Sequence, residues 1–221
     1  MADALDLSLP KGELHPTADR ILDAAEELFA ERGLAGTAVR DIAARVGLTP
    51  ASLYNHFESK QVLYEAVLER GIRPLLSLLQ EASAGDPERD WGEHVIEAVM
   101  AHLGSRPHLP RLIQHEAVSG AAHLSRLARR WILPTLSQAL AAVKREGGLA
   151  RWDEEELPLL VVAWLNIVVG HFAMAPLFAE VFHEDPLSEK NLARQTRFLR
   201  KLARRISRPA NPIHGTSEDP A

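Results

Sequence analysis

The sequence predicts an all-α protein: an N-terminal three-helix unit with a helix-turn-helix, followed by a larger helical bundle. Three observations carry this expectation. Apolar residues return at the i, i+3, i+4, i+7 spacing of a single helix face in segment after segment between residues 17 and 206. Glycine and proline punctuate these segments at helix-length intervals. A long apolar run, Leu157 to Phe182, precedes a last segment, Ser188 to Ile206, with one apolar and one basic face.

Residues 1–16 are acidic and lack a basic n-region or a cleavage-type apolar block, so a mobile tail is expected rather than a signal peptide. Thr17 to Arg32 then places Ile21, Leu22, Ala25, Leu28 and Phe29 on one stripe, with Asp23, Glu26, Glu27 and Glu31 outside it. Gly33 and Gly36 break that helix. Thr37 can cap the next, whose apolar face is Val39, Ile42, Ala43 and Val46. Gly47 supplies the positive φ of a sharp helix stop, and Thr49-Pro50 is a restart signal, a capping hydroxyl before a first-turn proline. Two short helices around a glycine turn have the shape of a helix-turn-helix, whose second helix enters the DNA major groove. Leu28, Phe29, Ile42, Val46, Leu53 and Phe57 are the expected core, leaving the polar side of residues 49–56 exposed.

A fourth helix is expected from Glu58 or Ser59 past Arg70, with Gly71 and Pro74 as kink positions. Residues 82–87 form a turn-rich loop. Trp91 to Leu103 is helical, with Val95, Ile96, Val99, Met100 and Leu103 on its buried side. Pro107 and Pro110 bracket the start of a helix leading into Leu112 to Val118. Leu124 to Glu146 is a long helix interrupted by Pro134 and closed by Gly147-Gly148. Asp153 and Glu156 have the spacing of a capping box at the head of the apolar run. Leu159 to Phe178 is long enough to span a membrane, but Asn166, Gly170, His171 and Pro176 interrupt it and Trp164 is too central for an interface belt. A helix covered on nearly all sides at a dimer interface accounts for the run better.

In the last helix, Leu192, Thr196, Leu199, Leu202, Ala203 and Ile206 share one face. The other carries Arg194, Arg197, Arg200, Lys201, Arg204, Arg205 and Arg208. Its readings are a solvated surface whose cations favour the C-terminal dipole, salt bridges to a partner subunit, or contact with an anionic surface. Residues 207–221, rich in proline and polar residues, are expected to be disordered.

Residues 17–64 resemble the N-terminal domain of the TetR family of bacterial transcription regulators. The resemblance rests on ILDAAEELFAERGLAGTAVRDIAARVGLTPASLYNHFESKQVLY: Phe29 four before Gly33, then Thr37, Ile42-Ala43, Gly47-Leu48-Thr49, and Leu53-Tyr54-x-His56-Phe57-x-x-Lys60-x-x-Leu63. It implies a homodimer formed through the last two helices, a helical second domain over residues 65–206 that binds a small molecule, and usually repression of a palindromic operator in the cytoplasm. Tyr54, His56 and Lys60 match family positions that contact the phosphate backbone.

Other candidate DNA contacts come from side-chain chemistry. Ala51, Ser52 and Asn55 are short enough to approach base edges, and the rotation of their helix decides whether they do. Thr37 and Thr49 offer hydroxyls and helix N-terminal amides to phosphates, and Arg40 reaches phosphate or guanine. In the second domain, Met100, His102, Trp131, Trp164, Asn166, His171 and Phe172 either line a pocket for a small amphipathic ligand or are plain core packing.

Charge tempers the DNA reading. The formal net charge is −5, and residues 37–60 hold Arg40, Arg45 and Lys60 against Asp41 and Glu58, a net of +1. Hydroxyls, tyrosine and helix N-termini can still hold phosphates, so a shallow salt dependence is expected. The absence of cysteine excludes disulfides and thiolate metal sites. The ten histidines show no H-x-x-x-H or H-E-x-x-H spacing, although His94 and His102 lie eight apart and His115 adjoins Glu116. No P-loop, G-x-G-x-x-G or G-x-S-x-G points to an enzyme, and neither a metal nor a cofactor is expected. The reading from another class is a helical adaptor that uses the three-helix unit to bind protein.

Overall fold

The predicted stripe of the first helix is buried almost completely, and this decides the N-terminal architecture. In the computed structural model, which describes residues 16–83, 91–145 and 152–207, every element among the described residues is a helix. The chain divides into two compact units, Met1–Leu68 and Glu69–Ala221.

In the first unit, α1 (Pro16–Gly36) buries Ile21, Leu22, Ala25, Leu28 and Phe29. Glu26, expected outside the stripe, is buried too. The break falls at Gly33, with φ 68° and ψ 175°, a conformation open to residues without Cβ. Of the next two helices, α2 (Val39–Arg45) packs on α1 and α3 (Pro50–Tyr54) packs on α2, with Ile42, Ala43, Val46, Leu53 and the following Phe57 buried. The first turns of α4 (Lys60–Ser83) complete the core and extend it beyond Phe57. Leu63 and Tyr64 are buried, and the Tyr64 ring meets Phe29 edge-on at 5.0 Å. The Ser59 hydroxyl caps α4 by accepting from the Val62 amide at 3.1 Å.

The α4 helix continues through Pro74 to Ser83, so residues 82–83 of the expected loop are helical and residues 84–87 lie outside the described residues. In the second unit it is followed by α5 (Trp91–Ser105), α6 (His108–Val118), α7 (Ala122–Leu127), a π-helical turn (Ala128–Ile132) and α8 (Leu133–Arg145). The interruption expected at Pro134 takes that π form just before it. Proline cannot donate to the Arg130 carbonyl and its ring crowds that oxygen, so the preceding turn widens. Gly147-Gly148, the N-terminal tail to residue 15 and the C-terminal residues from Arg208 onward lie outside the described residues.

The corner before α7 is tight. Gly120 (φ 97°) and Ala121 (φ 55°) reverse the chain, and the buried carboxylate of Glu116 accepts from the His123 and Leu124 amides at 2.6 and 3.2 Å. This acid therefore caps a helix N-terminus.

The apolar run forms two helices, α9 (Leu157–Ala173) and α10 (Ala175–Phe182), bent by 65° at Met174. No single helix among the described residues is long and apolar enough to cross a membrane. Nor is the run covered on nearly all sides within the chain: Leu159, Val162 and Leu165 of α9 and Leu177, Val181 and Phe182 of α10 are exposed. Half of the expected capping box is present, since the Asp153 amide donates to Glu156 at 2.9 Å. The last helix, α11 (Glu189–Ser207), packs along α5, while α6 packs along α9. Their shared core is Met100, Leu103, Leu109, Phe172 and Leu199.

Gly71 marks a close approach of α4 and α6. A Cβ at this position would lie 2.4 Å from Leu109 Cδ1 and 2.9 Å from Cδ2, and Leu109 is fully buried. Gly71→Val should therefore destabilise the second unit by about 1–3 kcal/mol through overpacking. Denaturant unfolding of Gly71→Val, Leu109→Ala and the double variant checks this. The double variant should lose less than the two singles together, because the smaller side chain relieves the clash; strict additivity would contradict it.

Candidate nucleic-acid interface

The short helix α3 is built to show one side to solvent. Thr49 caps it, its hydroxyl oxygen accepting from the Ser52 amide at 3.1 Å, and Pro50 occupies the first turn. Leu53 and Phe57 point into the core, which turns Ala51, Tyr54, Asn55 and His56 outward and leaves Ser52 half-buried. Tyr54 is 47% exposed although it is a large aromatic residue. At the preceding turn, Gly47 has φ 73° with open space where a Cβ would stand, so the backbone angle is what calls for glycine there. The Leu48 amide donates to Ala43 O at 2.8 Å and the Arg20 guanidinium to Val46 O at 2.9 Å, which fasten the turn to α2 and α1.

Two of the expected DNA contacts are also tied into the scaffold. Thr37 does not cap α2; the cap position is Ala38, which makes no side-chain hydrogen bond. Thr37 is 1% exposed, and its hydroxyl lies 2.8 Å from Gly33 O and 3.1 Å from Leu28 O. Its proton serves carbonyls at the end of α1, so the hydroxyl is not presented to a phosphate. Lys60 is likewise drawn inward: Nζ donates to Leu34 O at 2.8 Å and Thr37 O at 3.0 Å. Carbonyls left open where α1 ends need donors, and a cation there also complements the helix dipole. Arg40 remains on the outer side of α2, exposed, with Nε 3.5 Å from Asp41. Arg45 is paired with Glu27 of α1. The side chains that α3 brings together on one surface are thus Thr49, Ala51, Tyr54, Asn55 and His56, with Arg40 on the neighbouring helix.

The pocket candidates separate into groups. Met100 and Phe172 are core residues, and Trp164 packs against the same cluster. His102 is engaged through Nε2 with Gly71 O at 2.9 Å, holding α5 to α4. Asn166 is exposed and donates to Val162 O of its own helix at 2.8 Å. Trp131 lies in the π turn with the Arg130 guanidinium 4.9 Å above its ring. His171 stacks edge-on against Phe172 at 5.3 Å; its Nε2 is buried and has no protein partner. Burial holds this imidazole below its ordinary value of 6.5, partly offset by a hydrogen bond to the Pro186 backbone. On the basic face of α11, Arg194 pairs with Glu184 at 3.2 Å and Arg200 with Glu97.

Residues 21–67 match the model of the bacterial regulatory proteins, tetR family. The chain is 44% identical over 64 residues to the HTH-type transcriptional repressor KstR2 of Rhodococcus jostii, covering 29% of this chain and 31% of that protein. It is 34% identical over 73 residues to the HTH-type transcriptional regulator UidR of Escherichia coli K12, covering 33% of this chain and 37% of that one. The chain thus matches about a third of the length of these curated relatives. Among solved structures, SmeT, the repressor of the Stenotrophomonas maltophilia multidrug efflux pump SmeDEF, superposes with a TM-score of 0.61 at 22% identity. That likeness covers 92% of this chain and 96% of SmeT, and it speaks for the fold.

Two stability predictions arise from these side chains. Lys60→Met should destabilise the first unit by about 1–3 kcal/mol, since two carbonyls lose charge-assisted donors, whereas Tyr54→Phe should stay within about 0.5 kcal/mol of wild type. Chemical denaturation of both variants tests the contrast. His171 binds a proton more weakly in the folded chain than in the unfolded one. Its contribution therefore favours the fold above the unfolded value of 6.5 and is lost as pH falls through 6.5 toward the lower folded value. Unfolding free energy should decline less between pH 7.5 and 5 in His171→Phe than in wild type.

Proposed function

From the match of residues 21–67 to the model of the bacterial regulatory proteins, tetR family, we propose that the chain is a sequence-specific DNA-binding transcriptional regulator. The observation that carries this is the outward set Thr49, Ala51, Tyr54, Asn55 and His56 on a capped helix anchored by Leu53 and Phe57. In this reading α3 enters the major groove. Asn55 bonds a base edge, Ala51 and Ser52 pack beside it, and Thr49, Tyr54, His56 and Arg40 hold phosphates. Lys60 and Thr37 set the geometry from beneath. Residues 17–64 are then the DNA-binding domain and residues 65–206 the effector-binding and dimerisation domain of a cytoplasmic repressor.

One short helix reads few base pairs, so a homodimer on a palindrome is part of the proposal, with half-sites roughly 34–36 Å apart. The last two helices are its interface. Exposed apolar residues on and beside them, Leu159 (68%), Phe182 (67%) and Phe198 (57%), support this, because monomers rarely leave such side chains uncovered in groups. A small molecule in the second domain would release DNA, by no more than its preference for one state over the other allows. The descriptions of KstR2 and UidR favour this reading over a protein-binding adaptor.

Fluorescence anisotropy with duplex from upstream of the protein's own reading frame, at about 0.15 M salt and against excess random duplex, tests it. Wild type should bind competition-resistantly, and Tyr54→Phe with Asn55→Ala should weaken binding tenfold or more. The slope of log K against log salt should be negative but shallow. Binding that random duplex removes entirely, or a slope of zero, would contradict the proposal.

A further inference from the structure

We propose that two copies of the chain pair through the outward side of α9, antiparallel across a twofold axis at Asn166, with Val162 of each copy seated on the partner's Gly170. This pairing rests on the homodimer reading and fixes which residues meet.

The outward side of α9 has the composition of a buried surface. From Leu157 to Ala179 the chain holds no Asp, Glu, Lys or Arg. Leu159, Val162, Ala163 and Asn166 are nonetheless exposed, and Val169, Gly170 and Ala173 continue the same side half-buried. Leu159, Val162, Asn166, Val169 and Ala173 follow one another at spacings of three and four, the seam of a helix that packs along another helix. The opposite side of α9 turns Trp164, Ile167, Val168 and Phe172 to the core, which leaves this seam outward. With Leu177, Val181 and Phe182 of α10 it offers on the order of 800 Å² per chain, the share one partner contributes to a stable interface. A face without charge calls for an occupant without charge, and the same face of a second copy meets that condition.

Two residues fix how that copy lies. Gly170 stands inside a helix, where glycine is less favourable than every residue but proline. Its backbone is not left-handed, and a Cβ there would meet no described atom within 4 Å. The fold of one chain therefore does not call for glycine at this position, whereas the close approach of a second helix does. Asn166 gives one amide proton to Val162 O at 2.8 Å, which leaves its Oδ1 and its other proton for a partner. A carboxamide is its own complement, since each copy can donate to the oxygen of the other. One such residue in an apolar seam sets the register of the pair.

Asn166 is also the midpoint of Leu159 to Ala173, so an antiparallel copy reverses the seam about it. Leu159 then meets the partner's Ala173, Val162 the partner's Gly170, and Ala163 the partner's Val169. Each larger side chain faces a smaller one. A parallel pair would set Leu159 on its own copy and Gly170 on its own copy, crowding one end and leaving a void at the other.

The chain has no cysteine, so single cysteines introduced into the full chain report the pairing directly. Oxidised Asn166→Cys should run as a covalent dimer, because only a residue on the axis lies within disulfide reach of its own copy. Val162→Cys should stay uncrosslinked, as antiparallel copies place it about 12 Å from its counterpart along the helix. In sedimentation equilibrium, Gly170→Leu should weaken dimerisation tenfold or more while its far-ultraviolet circular dichroism stays that of wild type. Crosslinking of Val162→Cys as efficient as that of Asn166→Cys, or undiminished dimerisation of Gly170→Leu, would overturn the proposal. A wild-type dimer in which Asn166→Cys resists crosslinking would overturn this pairing alone. A wild-type chain that sediments as a monomer would overturn it together with the homodimer reading.

Discussion

The ammonium of Lys60 holds together the point on which the first unit depends. When α1 breaks at Gly33, the carbonyls at its end lose their helical donors, and a buried carbonyl must find another. Lys60 reaches Leu34 O and Thr37 O, and the Thr37 hydroxyl serves Gly33 O and Leu28 O. Three elements meet there: the end of α1, the approach to α2 and the first turn of α4. With the junction closed, α2 can cross α1 with Ile42 and Ala43 fully buried, and α3 can follow with Leu53 inward and Tyr54 outward. The outward side of α3, the surface proposed for DNA, is thus set from below by Lys60 and Thr37.

The second unit is held by packing rather than by a polar knot. Its core joins α5, α6, α9 and α11, and Gly71 lets α4 approach Leu109 more closely than any larger residue would. Polar groups appear at its corners. Glu116 caps α7, His102 bonds the Gly71 carbonyl, and Trp152 Nε1 donates to Ile206 O at 3.2 Å. His171 stands apart from these, a ring nitrogen inside the unit with no protein partner.

What was legible in the sequence was local. The Thr49-Pro50 restart, the Gly47 stop and the apolar faces of the first helices follow from capping chemistry and helical spacing, which a few neighbouring residues specify. Thr37 and Lys60 looked like surface groups for a different reason. Their partners lie as many as 26 residues away, and spacing along the chain is blind to such bonds. The bend at Met174 and the π form of the interruption before Pro134 were not legible, because each depends on how one helix continues into the next. The burial of Glu26 in α1 shows the same limit, since an acid on a helix face reads as solvated until another element covers it.

Helix α3 has only five residues, far below the length at which an isolated helix persists in water. It exists because Thr49 caps it and Leu53 and Phe57 anchor it, so its backbone entropy is already lost when the first unit folds. For any duplex it meets, the reading surface is preorganised. Association then carries no coupled-folding step at this helix. The heat-capacity change of binding should reflect surface burial alone, without the larger negative increment that accompanies the ordering of a flexible segment.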